Sequence, residues 1–208
     1  MSQGLADIAF TPAVKARQEE EGVSGLYADS AYFVPGKPVL GDAEREFIEA
    51  RDGFYLSTVS ETGWPYSQFK GGPQGFLKVL DRHTLGYAEF RGNRQYISSG
   101  NLTVNDRAFL FLMDYANRRR MKVWAKVREL PLTGNEDLAA RLIPEGYRAL
   151  PERLVVLDVE TYDWNCPSHI PQKVSRQAAE AQISRLLLHI RQLEEENAEL
   201  KSFLAPGE

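Results

Sequence analysis

The sequence is poor in cysteine and histidine, the usual nucleophile, base and metal ligand. Its 208 residues include one cysteine, Cys166, and three histidines, His83, His169 and His189. A single thiol excludes an internal disulfide framework and suits a reducing compartment. The histidines stand in a hairpin turn, a late loop and a C-terminal helical stretch, and none has metal-ligand spacing with another or with Cys166. No GxGxxG occurs, and GGPQGF (Gly71–Phe76) lacks the Lys-Ser/Thr pair of a P-loop. Cys166 has no adjacent base to activate it, so hydrolase chemistry has no support.

Two further absences narrow the class. A net charge of -4 and a pI near 5.5 argue against a general nucleic-acid binder, which needs a basic face. No apolar run is long enough to cross a bilayer. The first residues, with Asp7 among them and no long apolar core, do not read as a signal peptide, so a cytoplasmic protein is expected.

What is present is a run of short strands. Residues 1–52 read as a helical arm. Thr11-Pro12 opens one helix and Gly22 closes it, a Pro/Gly-rich connection spans 31–41, and a helix capped by Asp42 ends at Gly53 with Phe47 and Ile48 inward. FYLSTVS and WPYSQFK then flank Glu61-Thr62-Gly63, a hairpin signal, and Gly71-Gly72-Pro73 breaks the second arm. Phe76–Asp81 and Leu85–Phe90 make a second hairpin. Arg107–Met113, apolar on both faces, reads as a central covered strand. Met121–Leu130 alternates Met121, Val123, Ala125 and Val127 against Lys122, Trp124, Lys126 and Arg128, and Arg153–Trp164 is the last strand. About six or seven such strands, with turn signals between them and no βαβ rhythm, point to a closed antiparallel barrel with peripheral helices.

From Val174 to Leu204 there is no Gly or Pro. Ile183, Ile190, Asn197 and Leu204 share one heptad core position, and Leu186, Leu193 and Leu200 share the other. That pattern favours a two-stranded parallel coil, with the core Asn fixing register. Glu196 would face the partner's Lys201, and His189 the partner's Glu194. A helix of this length spans about 45 Å. Leu187 and Leu188 lie outside the two core positions and would suit a helix packed on its own domain. The preceding PQKVSRQAAEAQ is too sparsely basic for a DNA-reading zipper.

The polar residues concentrate at strand ends. GYAEFRGNRQYISSGNL ends a strand at Gly92-Asn93 and opens a helix-like turn carrying Arg94, Gln95, Ser98 and Ser99, an arrangement able to hold a phosphate. An ordinary β–α connection with a solvated Arg fits the same spacing. Gln68 and Lys70 alternate on one strand beside Gly71-Gly72, where backbone can approach a ligand closely. Arg120 ends the Arg118–Arg120 run at the start of a strand, and Trp164 closes the last strand. A flat cofactor with a phosphate tail would use such a set.

FYLSTVSETGWPYSQFKGGPQGFLKVLD, FRGNRQYISSGNL with NDRAFLFLMDY, and YDWNCPSHI resemble the pyridoxamine 5'-phosphate oxidase-like family of FMN-binding split barrels, in particular a bacterial subgroup with GNRQY and WNCP-HI motifs. The similarity covers about residues 5 to 173, which would form the split-barrel domain, with 174–204 as the appended coil. It implies FMN as cofactor, a homodimer with two flavin sites at the interface, and oxidoreductase activity on a small substrate. Gln68, Lys70, Gly71 and Gly72 would run along the flavin ring. Arg94, Gln95 and Ser98, with Asn93 in the turn before them, would hold the phosphate. Arg120 begins the strand that approaches the flavin, and Trp164 stands where the partner supplies an aromatic. The chain departs from the family in having Lys70 in place of Arg, which loses the bidentate fork. It also lacks the Arg-x-His pattern that binds pyridoxamine phosphate, reading NCPSHIPQK instead, so that substrate is not expected. The alternatives are a flavin-binding sensor or carrier without turnover, and the same fold holding a deazaflavin, or haem on His169.

Overall fold

A computed structural model describes residues 4–28, 36–164 and 168–204. Cys166, with Asn165 and Pro167 of the WNCP stretch, lies outside the described residues, as does most of the Pro/Gly-rich connection. In chain order the elements are α1 (Leu5–Ala9), α2 (Pro12–Glu20), α3 (Gly25–Ala28), α4 (Asp42–Glu49), β1 (Gly53–Val59), β2 (Pro65–Gly71), β3 (Lys78–Val79) and β4 (Thr84–Phe90). There follow α5 (Ile97–Val104), β5 (Arg107–Asp114), β6 (Arg119–Leu130), α6 (Glu136–Leu142), β7 (Pro151–Trp164) and α7 (Arg176–Leu204). The chain divides into two units. One runs to Asp114 and resumes over Arg119–Ser168; the other joins Tyr115–Arg118 to the chain from His169 onward.

The first unit is built on one seven-stranded sheet in the order β2-β1-β5-β6-β7-β4-β3, with every pairing antiparallel. The strand alternation fixes its two faces. In β6 the expected residues Met121, Val123, Ala125 and Val127 are buried, while Lys126 and Arg128 are exposed. The sheet curls until strands far apart in its order share one core. Phe54 of β1 meets Tyr87 of β4 edge-on at 5.5 Å, and Phe76 stacks on Phe54 at 5.8 Å. Yet β2 and β3 remain unpaired with each other at the two margins. The structure is therefore an open, split-barrel-like sheet and not the closed barrel that the strand spacing suggested. Gly72-Pro73 interrupts the edge, and β3 is only two residues long, too short to complete a ladder.

Local chemistry explains the remaining boundaries. Thr11 caps α2, its hydroxyl accepting from the Val14 N–H at 3.4 Å, and Pro12 is the first helical residue. The α4 cap is Gly41 and not Asp42, and the Glu44 carboxylate accepts the Gly41 N–H at 3.0 Å. Ala50 ends that helix, and Gly53 is already the first residue of β1. Phe47 and Ile48 point into the core as expected. Strand β5 is central, between β1 and β6, but only one of its faces is fully covered: Leu110 and Leu112 are buried while Phe109, Phe111 and Met113 are half-buried. A smaller cluster of Ala88, Leu142 and Leu154 fixes α6 against the sheet.

In the second unit, Gln172 donates to the Ala116 carbonyl at 2.9 Å and the Lys173 N–H to the Tyr115 carbonyl at 3.3 Å. The Lys173 ammonium lies 4.6 Å from the centre of the Tyr115 ring. No helix of the described residues is long and apolar enough to cross a membrane.

Candidate functional site

A groove of about 240 Å³ opens where the sheet fails to close. Gln68 and Lys70 of β2, Glu89 and Phe90 of β4, the Gly92–Tyr96 turn, the head of α5 and Glu152 line it. Strand alternation puts Tyr66, Gln68 and Lys70 on the inward face of β2, opposite Thr58, Leu56 and Phe54. Glu89 lies on the inward phase of β4, two residues beyond Tyr87, and the β4–β7 register shifts immediately after it. Such irregularities often occur beside functional sites, where they re-aim side chains.

The GNRQY turn is tightly shaped. Arg94 and Tyr96 both take left-handed backbone conformations, with φ of 62° and 52°, which non-glycine residues rarely adopt. The Asn93 side chain accepts from the Gln95 N–H at 3.2 Å and its amide reaches the Gln95 side chain at 3.3 Å. Tyr96 is the N-cap of α5 and supplies no side-chain acceptor to the helix. The first N–H groups of α5 have no intrahelical carbonyl to bond, so they and the helix dipole favour an anion there. Arg94 has no carboxylate within ion-pair distance among the described residues; a hydrogen bond with Tyr96 holds its guanidinium above its ordinary pKa.

Ser98 links the helix head to β2, its hydroxyl donating to Gln68 at 3.0 Å. Asn101 fastens the same helix to β1 by donating to the Thr58 hydroxyl at 3.0 Å. Lys70 is buried and forms an ion pair with Glu89 across the open seam. Its charge is thus largely spent inside the chain. Beyond this pair the groove continues as a depression of about 180 Å³ lined by Gln68, Gly71, Phe76, Tyr87 and Glu89. Burial holds the Tyr87 hydroxyl well above its ordinary pKa, with the nearby Glu89 and Glu129 charges acting in the same direction.

The structure therefore gathers Gln68, Lys70, Asn93, Arg94, Gln95 and Ser98 around one groove, with Gly71 in the adjoining depression. Gly72 has a different neighbour from the expected ligand: a Cβ there would stand 2.6 Å from the Phe76 ring. Arg120 lies outside the lining, with its guanidinium 5.9 Å from the Phe111 ring centre. Trp164 lies outside it too. Its indole N–H donates to Glu44 at 3.0 Å, its ring packs edge-on against Phe47 at 4.7 Å, and Arg119 covers a face.

Three polar partners escaped the sequence reading. Glu152 accepts from Arg91 at 3.0 Å and from the Tyr96 hydroxyl at 3.2 Å, and the Arg91 hydrogen bond holds its carboxyl below the usual range. Arg153 donates to Ser99 at 2.6 Å and to Glu129 at 2.9 Å, which engages the Ser99 hydroxyl at the groove wall. Glu89 was readable in principle, as an acid on the buried phase of a strand. Among the described residues, no three His, Cys, Asp or Glu side chains converge to hold a metal ion.

No family model matches the sequence, and no curated protein matches it. The chain is similar to solved structures of the pyridoxamine 5'-phosphate oxidase kind. A Lactobacillus delbrueckii protein described as a candidate pyridoxamine 5'-phosphate oxidase is 20% identical, covering 60% of this chain and 93% of its own at a TM-score of 0.46. An FMN-binding protein from Syntrophomonas wolfei is 16% identical, covering 59% and 83% at 0.47. The haem storage protein of Vibrio cholerae is 14% identical, covering 58% and 89% at 0.39. At such scores these likenesses add nothing to the chemistry of the groove, which rests on this chain's own residues.

Proposed function

We propose that the groove binds FMN and that the chain is an FMN-dependent oxidoreductase acting on a small, unidentified substrate. One observation carries this reading: the strained GNRQY turn, with an Arg94 that has no carboxylate partner among the described residues, heads a helix whose Ser98 is bonded to Gln68 on the inward face of β2. A phosphate at the helix head and a flat ring along β2 would then share one groove. The residues fit the phosphate end well, with a cation, a hydroxyl and free helical N–H groups. At the ring end they offer the amide of Gln68 and the Lys70–Glu89 pair.

When bound, FMN would supply electron or hydride transfer at N5 of its ring. The chain's residues would do the rest. Arg94 and the head of α5 offset the phosphate charge. Gln68, oriented by Ser98, offers a directed amide to the ring edge. Lys70, held by Glu89, keeps the seam at a fixed width and presents a nearly neutral pair.

A groove of about 240 Å³ is smaller than the roughly 300–1,000 Å³ typical of small-molecule sites. A second copy of the chain would complete it, and Arg120 and Trp164, which lie outside the groove, are the residues that the copy would bring. The test is an absorbance spectrum of the purified protein with the released cofactor identified. Flavin bands and near one-to-one FMN support the proposal. A colourless protein that also takes up no added FMN overturns it.

The Lys70–Glu89 pairing favours a second reading, a flavin-binding sensor or carrier without turnover, since a lysine already paired within the chain could do less to stabilise an anionic reduced ring. Steady-state oxidation of NAD(P)H separates the two, because a pure binder shows no rate above that of free FMN.

A further inference from the structure

We infer that α7 is one strand of a parallel, in-register, two-stranded coiled coil formed with a second copy of this chain. The inference rests on the helix alone and is independent of the flavin reading. The helix runs 29 residues without interruption, about 43 Å. Its large apolar residues lie on the surface: Ile183, Leu186, Ile190, Leu193 and Leu200 are 43–60% exposed. With Asn197 they fall at alternating spacings of three and four residues, a seam that water leaves unsatisfied and a like seam covers.

The charges and the one polar seam residue choose the occupant. In a parallel pair, Glu196 of one chain faces Lys201 of the other, and His189 faces Glu194, so each flank is complementary to itself. Asn197 then meets its own copy at the seam, where two amides can bond to each other. In an antiparallel pair Asn197 would be set against an apolar core residue, leaving its amide without a partner across the seam. The Asn197 amide bonds to the Leu193 carbonyl of its own helix at 2.9 Å, which leaves its oxygen for the facing amide. Leu187 widens the seam on one flank, while Leu188, at the outermost heptad position, has no place in it.

Parallel pairing has a geometric consequence. Gln172 and Lys173 root the segment before α7 on the Tyr115–Arg118 turn. Two such turns would therefore sit at the same end of the coil, as a two-fold assembly requires.

The test uses the full chain carrying Cys166→Ser, with one new cysteine placed at the seam or opposite it. Under mild oxidation, Leu193→Cys should convert to a covalent species of twice the 23.5 kDa chain mass, while Glu195→Cys, on the outer face, should stay largely single. Leu186→Cys, at the same core position one heptad earlier, should behave like Leu193→Cys and serves if that variant fails to accumulate. Sedimentation of the uncrosslinked protein should give a dimer. The inference is overturned if neither seam variant links, if the outer variant links equally fast, or if the native species is larger than a dimer. Flavin absorbance is not read in this experiment, so a colourless protein leaves its outcome intact.

Discussion

Arg94 carries a cost that most loop arginines do not, a left-handed backbone, and it leaves an exposed guanidinium with no carboxylate in ion-pair distance among the described residues. If the turn exists to hold a phosphate, the side chain and the backbone can be separated by substitution. Arg94→Ala should weaken FMN binding roughly tenfold to a hundredfold, the scale of a lost charge-assisted contact, read by fluorescence titration. Arg94→Gly should lose FMN equally while melting no lower than the parent, because glycine adopts positive φ without penalty. A variant that stays fully yellow would remove the phosphate assignment. Glu152 sets a pH limit on the same turn. Its carboxyl is held low by Arg91 and also bonds Tyr96, so the stability it contributes is complete above the ordinary glutamate pKa and disappears as pH falls through the lower folded value. Glu152→Gln should therefore melt below the parent at pH 7, and the two melting curves should converge in acid once the pH falls below that lowered folded value. The composition of this turn was legible in the sequence, since Gly92-Asn93 followed by Arg, Gln and Ser is a short local pattern. Its left-handed φ values were not, because nothing local marks Arg or Tyr for that region, and Glu152 is distant in the chain.

At the scale of elements, what could be read from the sequence depended on how local the deciding contact was. The β1–β2 hairpin is dictated by Glu61-Thr62-Gly63, and the β6 faces by alternation; both formed as expected. Closure of the barrel depends on whether β2 reaches a partner across the seam, a contact between segments far apart in the chain that no window of residues reports. In place of a ladder, the seam holds the Lys70–Glu89 pair and the Ser98–Gln68 bond. Lys70 is almost fully buried, so removing either charge alone strands the other in a poorly solvated place. Glu89→Gln or Lys70→Met alone should cost about 2–4 kcal/mol in denaturant unfolding, whereas the double change should recover most of that loss. Single and double variants of equal stability would mean that the pair contributes nothing to holding β2 in place. The α4 boundary shows the same division at smaller scale: its buried face was legible, while its cap is Gly41 and not Asp42, with Glu44 accepting the Gly41 N–H.

For the whole molecule, the informative surface is the outer face of the sheet. Tyr55 packs edge-on against Phe69 at 5.4 Å, and Phe109 meets Trp124 at 4.9 Å and Phe111 at 6.2 Å. Tyr55 is 43% and Phe69 59% exposed. Cross-strand register joins them into one band, since Tyr55 pairs with both Phe69 and Phe111, and Phe109 with Trp124. An aromatic band of this extent on a sheet face marks an interaction surface, and Arg120 stands on the same face, paired with Met113 beyond Phe111. If a second copy covers this band, it brings Arg120 toward the groove, and assembly and flavin binding become one event. Tyr55→Asp places a charge at the centre of the band without touching the groove lining. It should leave the far-ultraviolet spectrum unchanged, since the site is on the surface, but lower FMN affinity at least tenfold. Affinity is the decisive readout, because paired α7 helices could still tether two chains whose barrels no longer meet. If the Tyr55→Asp protein binds FMN as tightly as the parent, the groove is complete within one chain and the half-site argument falls. If affinity drops and is restored at high protein concentration, the second copy supplies what the groove lacks.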